Sequence, residues 1–494
     1  MVVPPVAPPV ATPPPKPPAP SVTGIWLGAL EVPGHALRLQ LRLDLAAGPK
    51  GCVLDSLDQH AFGLPCGNVV VSGDALSFEV PVVKGTFAGN ISADGSTLTG
   101  HWTQMGAPLA LVLTRRATPI EKPKAPLDAA MPAIDVAALP PILAADLAAA
   151  LEKGALAPDT GGGVAIGVVQ HGVRRILSYG ATRPDAVFEI GSVTKTFTGL
   201  ILAQMVEQKK ARFDEPVREL LPPGTVAAPA SGAEITLVDL STQHSGLPRM
   251  PDNFNPKDPA NPYADYDEKA LFSWLGAHGV ALPPKAPFGY SNLGVGLLGA
   301  ALAHRAGTTY EALLKKEVTG PIGMRDTSIT LTPAMQKRLA AGHDPAHKPA
   351  RAWDLDALAG AGGIRSTAAD MLTYLEAELH PDHLPATAKA SPEGKTLPGA
   401  IAASHEPRAE TEEGMHIALN WFRRDKTGSY WHNGATGGYS SFVLFNVDKD
   451  LGIVVLSNTA LGEDGFTDRI GQHIAQRFWG VEAVSLGPLP PVAP

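Results

Sequence analysis

Residues 35–45, HALRLQLRLDL, alternate strictly between apolar and polar side chains. Because successive side chains of a β-strand point to opposite faces, this alternation predicts a strand with one buried face. The apolar face consists of Leu37, Leu39, Leu41, Leu43 and Leu45, and the polar face of Arg38, Gln40, Arg42 and Asp44. A strand of this kind needs neighbours that cover its leucines, so this part of the chain is expected to form a multi-stranded sheet.

Further strand-like runs follow up to residue 116, separated by turn sequences such as SGDA and SADGST. The runs are GNVVVSG, ALSFEV, GTFAGNIS, TLTGHWTQ and LALVLTRR. Short strands at this spacing are typical of an antiparallel meander that hides its edges in a small barrel or sandwich. We therefore predict an all-β domain over residues 22–116. It contains no motif that carries chemistry, which favours a structural or substrate-presenting accessory over a dedicated ligand carrier.

Proline-rich segments divide the 494-residue chain, which is too long for one ordinary core. Residues 1–21 are predicted to form an extended polyproline tether, and they lack the charged and apolar regions of a signal peptide. Residues 117–137 are predicted as a linker and residues 486–494 as a proline-rich tail. Residues 138–485 remain for a second domain.

The second domain mixes helical and strand patterns. ILAADLAAALEKGA and FTDRIGQHIAQRFWG predict helices near its two ends. GVAIGVVQHGVRRILSYG predicts two strands around a turn at Gln170–Gly172, and SSFVLFNVDKDLGIVVLSN predicts a hairpin that turns at Asp448–Asp450. Strands at both ends with helices between them predict an α/β (α+β) fold, in which helices cover one sheet assembled from both chain ends.

Composition excludes several classes of function. The net charge of −8 and the absence of a basic run argue against nucleic acid and anionic membranes as partners. No apolar run reaches the roughly 18 residues of a membrane span. The 15 histidines form no HExxH or paired Cys/His motif, so we predict neither a metal nor another cofactor.

The two cysteines, Cys52 and Cys66, leave two possibilities open. A disulfide across this short loop would add about 3 kcal/mol of stability in an oxidising compartment. Two buried free thiols fit the sequence nearly as well.

The stretch FEIGSVTKTFTG places Ser192 and Lys195 three positions apart at the start of a helical pattern. Such residues share one side of a helix, with roughly 5–6 Å between their β-carbons. A serine hydroxyl becomes a nucleophile when a neighbouring base takes its proton, and a lysine becomes that base when burial or positive potential lowers its pKa. A lone S-x-x-K motif is short, and a capping serine followed by a solvent-facing lysine also explains it.

Two further stretches favour the catalytic interpretation: Tyr290, Ser291 and Asn292 in FGYSNLGVGLLG, and His432, Asn433 and Gly434 in YWHNGATGGYSS. Together with SVTK, they resemble the signature elements of the class C β-lactamase and penicillin-binding-protein-like serine hydrolase family, which includes carboxylesterases and D-stereospecific peptidases. The resemblance spans residues 140–480 and extends to HSGLP, GPIGMRDTSI, GAGGIRSTAADML and GIVVLSN. The competing G-x-S-x-G elbow is absent from the sequence.

The resemblance implies a role for each motif residue. Ser192 would form an acyl-enzyme, with Lys195 and Tyr290 as the base pair. Asn292 would hold the lysine and the substrate amide. The backbone N–H groups of Ser192 and Ala435 would form the oxyanion hole, and Asn433 and Gly434 would contact substrate.

His432 is the main departure from the family pattern, which usually has lysine there to meet the carboxylate of a β-lactam. A histidine is only partly charged at neutral pH, so its attraction for an anion is expected to be weaker and pH-dependent. We therefore rank small acyl esters first as substrates, followed by β-lactams and short D-amino-acid peptides. The alternative is a penicillin-binding sensor, acylated without efficient turnover, or a cell-wall binding protein that uses the β domain. The family implies a periplasmic or secreted location.

Overall fold

The computed structural model describes residues 20–32, 35–59, 61–104, 106–412, 414–462 and 464–492. Residues 1–19 of the predicted tether lie outside this set. The chain divides into two compact units. The first ends at Lys124 and takes in the chain end from Leu489 onward, and the second is Ala125–Pro488.

The first unit is a nine-stranded antiparallel sheet with the strand order β4-β3-β2-β1-β9-β8-β7-β6-β5. Its strands are β1 Gly24–Val32, β2 His35–Leu43, β3 Cys52–Ser56, β4 Ala61–Pro65, β5 Gly67–Ser72, β6 Ala75–Val80, β7 Gly85–Ile91, β8 Thr97–Gln104 and β9 Leu109–Arg116. Short 3-10 helices occupy Leu45–Lys50 and Pro81–Val83. Strands from both ends of the order contribute side chains to one core, so the sheet curls around it.

The alternating segment at residues 35–45 forms β2. Leu39, Leu41 and Leu43 are buried as predicted, but Leu45 lies beyond the strand end and is 46% exposed. Gln40, predicted on a polar face, is also fully buried, because its side chain hydrogen-bonds Asp55 and the backbone of Ile120. Cys52 and Cys66 form a disulfide, which decides between the two possibilities that the sequence leaves open.

The second unit is built on an eight-stranded antiparallel sheet with the order β12-β11-β22-β21-β20-β19-β18-β17. The strands of this unit are β10 Leu127–Asp128, β11 Gly163–Gln170, β12 Val173–Gly180, β13 Val187–Glu189, β14 Gly342–His343, β15 Pro349–Ala350, β16 Arg365–Thr367, β17 Ala409–Glu412, β18 Met415–Ile417, β19 Phe422–Arg424, β20 Ser429–Ala435, β21 Ser440–Asn446, β22 Leu451–Ser457 and β23 Ala483–Val484. The β11–β12 hairpin pairs with the β21–β22 hairpin, so both chain ends build the sheet as predicted.

Helices pack on both faces of this sheet. They are α1 Leu139–Asp146, α2 Ala148–Lys153, α3 Thr194–Glu207, α4 Leu237–Ser241, α5 Glu268–His278, α6 Asn292–Arg305, α7 Tyr310–Leu314, α8 Gly320–Ile322, α9 Pro333–Gln336, α10 Ala359–Gly362, α11 Ala368–Leu379, α12 Ala386–Ala390, α13 Pro392–His405 and α14 Phe466–Trp479. The 3-10 turns are Gly191–Val193, Val217–Leu220 and Pro381–His383, and a π-helical turn spans Lys315–Thr319. The single helix predicted over 142–155 is two helices, interrupted at Leu147.

The two faces of the sheet carry separate cores. Val164, Ile166 and Val168 of β11 pack with α1 and α14, whereas Ala165 and Val169 of the same strand pack with α3, α11 and α13. Strand alternation explains this division. Helix α3 is therefore central, and its residues from Thr194 to Met205 are buried all round.

The predicted linker at 117–137 spans the boundary between the units. Its second half belongs to the second unit, where Leu127 and Asp128 pair with Val484 and Ala483. Leu486, in the predicted tail, is buried in the same unit. No helix in the described part of the chain is both long enough and apolar enough to cross a membrane.

Candidate active site

The chain enters the candidate active site at Gly191, between β13 and α3. Gly191 adopts φ +50°, and a β-carbon there would lie 2.7 Å from the nitrogen of Ala435. Glycine is thus required both by the left-handed backbone and by the close approach of β20. The turn places Ser192 in the first turn of a buried helix, where backbone N–H groups lack helical acceptors.

Lys195 lies one turn further along and is fully buried. Its Nζ is 3.0 Å from Ser192 Oγ, 2.9 Å from Asn292 Oδ1 and 2.6 Å from the carbonyl oxygen of Ala361. The last two atoms can only accept hydrogen bonds. A neutral amine that donates to both of them directs its lone pair at the Ser192 hydroxyl.

Burial lowers the pKa of Lys195 well below 10.5, and the positive charge of Arg249 lowers it further. A group with a lowered pKa supplies neutral amine closer to neutral pH. The polar contacts and the desolvation therefore act together, because they prepare Lys195 to accept the proton of Ser192.

Tyr290 and Asn292 reach the site from the start of α6. Ser291 caps this helix, because its hydroxyl accepts from the Gly294 N–H at 2.8 Å. Since Ser291 satisfies the helix end, Asn292 is left to contact Lys195. Gln243 fixes the same segment by accepting from the Ser291 N–H at 2.8 Å.

The ring centroid of Tyr290 lies 4.9 Å from Lys195 Nζ, and its phenol is close enough to Ser192 to be influenced by that hydroxyl. Burial raises the pKa of Tyr290 to about 12, against the lowering effects of Ser192 and Arg249. The phenol is therefore protonated at neutral pH. Lys195 is the better proton acceptor of the two, and Tyr290 is suited to relay a proton.

Ser192 and Ala435 bring two backbone nitrogens to one edge of the cleft. A β-carbon on Gly434 would lie 2.1 Å from the carbonyl oxygen of Ile190 and 2.9 Å from the nitrogen of Ser192. Strand β19 pairs with β20 only as far as Trp431, so the outer side of residues 432–435 faces the α3 turn. The Ser192 and Ala435 N–H groups are therefore candidates for an oxyanion hole, which needs two donors aimed at the developing charge.

His432 is near the site but is buried and uncharged. Its ring centroid lies 6.4 Å from that of Tyr290. Burial, followed by the repulsion of Lys195, lowers the pKa of His432 to about 3. Its Nδ1 lies 2.6 Å from the carbonyl oxygen of Asn433 and must carry the hydrogen, because a carbonyl only accepts. The sequence led us to expect a partly charged His432 at neutral pH, and that expectation is wrong, because the buried side chain is neutral.

The side chain of Asn433 also differs from the expectation. It donates to Asp468 of α14 at 2.7 Å, and α14 packs on the other face of the sheet. Strand alternation turns Asn433 away from Ser192 while it turns Gly434 toward the α3 turn. The Asn433 side chain therefore does not face the cleft, contrary to the predicted substrate contact.

Several residues around the cleft lie outside the three motifs. Tyr263, Trp353, Leu355 and Thr436 line it together with Ser192 and Asn292. Arg249 places its guanidinium carbon 5.1 Å from the Tyr290 ring centroid. Arg249 directly follows HSGLP, so proximity to that phrase was the one sequence signal that pointed to it.

A possible metal-ligand group within the described residues is Asp128, Asp146 and His473. Arg477 contacts both carboxylates, at 3.6 Å and 3.1 Å, and His473 Nε2 lies 2.7 Å from Asp146. The arginine supplies the positive charge that a metal would supply. We interpret this group as an ion-pair network that ties the start of the second unit to α14.

Comparison with known proteins identifies the family. The family model described as beta-lactamase matches residues 149–477. The chain belongs to the β-lactamase family. The β-lactamase of Pseudomonas fluorescens is 26% identical over 337 residues, which cover 60% of this chain and 88% of that protein. The crystal structure of a class C β-lactamase from Rhodobacter sphaeroides has a TM-score of 0.54 and 26% identity, and the match covers 68% of this chain and 97% of that one.

The chain is also similar to the D-alanyl-D-alanine-carboxypeptidase/endopeptidase AmpH of Escherichia coli K12, with 31% identity over 231 residues. That match covers 44% of this chain and 58% of the length of AmpH. The predicted family and the α/β fold class are confirmed.

Proposed function

We propose that the protein is a serine hydrolase that forms an acyl-enzyme on Ser192, with Lys195 as the general base. Its substrates are small acyl compounds: esters, β-lactams or amides of D-amino acids. The observation that carries the proposal is the 3.0 Å contact between Ser192 Oγ and a fully buried lysine amine. The relatives named as β-lactamases and as a D-alanyl-D-alanine carboxypeptidase support the class of bond.

In acylation, the lone pair of Lys195 takes the Ser192 proton while Oγ attacks the substrate carbonyl carbon. The carbonyl oxygen becomes negative, and the N–H groups of Ser192 and Ala435 bind it. When the bond to the leaving group breaks, the proton passes from Lys195 through Tyr290 to the leaving atom. Water then attacks the ester on Ser192, and the same base accepts a proton from that water.

General-base assistance of this kind contributes about 10²- to 10⁴-fold to the rate. Each oxyanion donor contributes about 10²- to 10³-fold. The arrangement needs no metal in the proposed steps, since the amine and the two backbone donors supply proton transfer and charge stabilisation.

The disulfide between Cys52 and Cys66 supports an extracytoplasmic location, because disulfides persist in oxidising compartments. For the first unit we propose a structural or substrate-presenting role, with association with the cell wall as one form of it. The described residues of its curled sheet form no cluster of catalytic residues comparable to the one around Ser192.

The proposal is tested by measuring hydrolysis of a nitrophenyl ester and of a penicillin by the full chain and by Ser192→Ala. We expect many turnovers per molecule for wild type and background rates for the variant. A single stoichiometric release without turnover would instead support the alternative, a penicillin-binding sensor. Full activity of Ser192→Ala would refute the nucleophile.

A further inference from the structure

Arg249 is an exposed arginine at the edge of the cleft. Its guanidinium carbon lies 5.1 Å from the ring centroid of Tyr290. Among the described residues, no carboxylate pairs with it and no side-chain acceptor hydrogen-bonds it. The nearest acid along the chain, Asp252, instead accepts from Trp274 Nε1 at 2.7 Å and lies 3.3 Å from His278.

The backbone of Arg249 is hydrogen-bonded to the start of α6. Its carbonyl oxygen accepts from the N–H groups of Asn292 and Leu293 at 3.0 and 3.2 Å. The neighbouring carbonyl of Pro248 accepts from Ser291 Oγ at 2.7 Å. The origin of the arginine side chain is therefore fixed relative to Tyr290 and Asn292.

Arg249 is also the basic side chain near the cleft whose positive charge does not depend on pH. Lys195 and His432 are both buried, and burial lowers the pKa of each. Tyr263 and Tyr290 are neutral phenols whose pKa values are raised by burial. A guanidinium stays protonated at any pH at which the protein is folded. A persistent positive charge thus faces the Tyr290 side of the cleft.

The position of Tyr290 tells which part of a substrate meets this charge. In the proposed mechanism, the phenol of Tyr290, which is close to Ser192, passes the proton to the leaving atom. The leaving group must then lie beside Tyr290, on the side from which Arg249 approaches. A carboxylate a few bonds beyond the scissile bond would come within reach of the guanidinium, whose fork matches a carboxylate in shape.

We propose that Arg249 binds a carboxylate on the leaving-group side of the substrate and so makes the cleft selective for anionic acyl substrates. This inference rests on the proposed acyl-enzyme function. It revises the substrate ranking from the sequence, which placed small acyl esters ahead of carboxylate-bearing β-lactams because His432 replaces a lysine. Arg249, which directly follows HSGLP, would supply the positive charge that a lysine at position 432 would otherwise carry.

The test uses two esters with the same acyl group, an N-acylglycyl ester of 3-hydroxybenzoate and the same ester of 3-hydroxybenzamide. They differ by one negative charge on the leaving group and give the same acyl-enzyme, so the ratio of their kcat/KM values reports acylation alone. We expect wild type to prefer the benzoate ester. Arg249→Gln should reduce that preference about tenfold, as for loss of one charge-assisted hydrogen bond.

Arg249→Lys keeps the charge and should retain most of the preference. Arg212→Gln, which removes another exposed positive charge from the same unit, should keep all of it. Added salt should weaken the preference of wild type but not that of Arg249→Gln.

An unchanged ratio in Arg249→Gln would overturn the inference. An equal fall with both esters would overturn it as well, because Arg249 would then act only through Lys195 and Tyr290. Failure of the proposed function is distinct: Ser192→Ala would still hydrolyse both esters.

Discussion

The Nζ of Lys195 lies 2.9 Å from Oδ1 of Asn292, although the two residues are 97 positions apart in the chain. This contact joins the N-terminal turn of α3 to the first residue of α6. Together with the Ala361 carbonyl, it occupies two donor positions of the amine and leaves the lone pair for Ser192.

Replacing Asn292 with leucine should disturb the orientation of Lys195 without destabilising helix α6. The change removes the acceptor of Lys195, and we expect kcat/KM to fall about 10²-fold, within the range for a positioned base. Helix α6 should stay intact because Ser291 forms its cap. Ser291→Ala is the matched control and should lower the free energy of unfolding by about 1 kcal/mol. Full activity in Asn292→Leu would contradict the role of this contact.

The pH dependence of acylation should report Lys195. Its pKa is lowered in the folded protein, and only the neutral amine can accept the serine proton. Activity towards a neutral ester should therefore be lost as pH falls through a single ionisation well below 10.5. Ionisation of Tyr290 should not reduce activity below about pH 11, because the pKa of Tyr290 is raised to about 12. Measurement of kcat/KM from pH 5 to 10 checks this, and a half-maximal point near 10.5 would contradict it.

His432 should make the protein sensitive to acid. Its pKa is about 3 in the folded chain and near 6.5 when unfolded, so the unfolded state binds its proton first as pH falls. The contribution of His432 to stability is constant above pH 6.5 and declines between pH 6.5 and 3, by about 3 kcal/mol at pH 4. Denaturant titrations at pH 7 and pH 4 should show a smaller decline for His432→Gln. Equal declines in the two proteins would show that His432 is not a buried neutral group.

Gly434→Ala should damage the oxyanion hole. The new methyl group would lie 2.1 Å from the carbonyl oxygen of Ile190 and 2.9 Å from the Ser192 nitrogen, so β20 must move away from α3. Loss of one donor corresponds to about a 10²- to 10³-fold fall in kcat. Gly289→Ala is the matched control beside Tyr290, because the closest atom to its β-carbon is 4.0 Å away. Similar kcat values for the two variants would argue against the proposed hole.

Local patterns predicted much of the fold. The alternation in β2 and the hairpins at both ends of the second unit follow from side-chain periodicity, and the sequence contains that periodicity directly. The burial of Gln40 was not predictable, because a distant segment around Ile120 supplies its hydrogen bonds. The interruption of the first predicted helix at Leu147 is likewise invisible in a run of helix-forming residues.

In the candidate site, too, local sequence patterns did not predict the features that depend on contacts between distant segments. The resemblance pointed to Ser192, Lys195 and Tyr290, and the structure places them together. The direction of Asn433 depends on strand register, which a three-residue motif does not specify. Arg249 belongs to no periodic element, and its place beside Tyr290 depends on backbone contacts with α6.

The covalent adduct itself shows whether Ser192 is the nucleophile. The full chain is mixed with a penicillin, quenched within seconds, and analysed by intact mass and by peptide mapping. We predict one acyl group per molecule, on Ser192, with much slower formation in Lys195→Ala and none in Ser192→Ala. An adduct on another residue, or equally rapid acylation of Lys195→Ala, would contradict a serine nucleophile activated by the buried lysine.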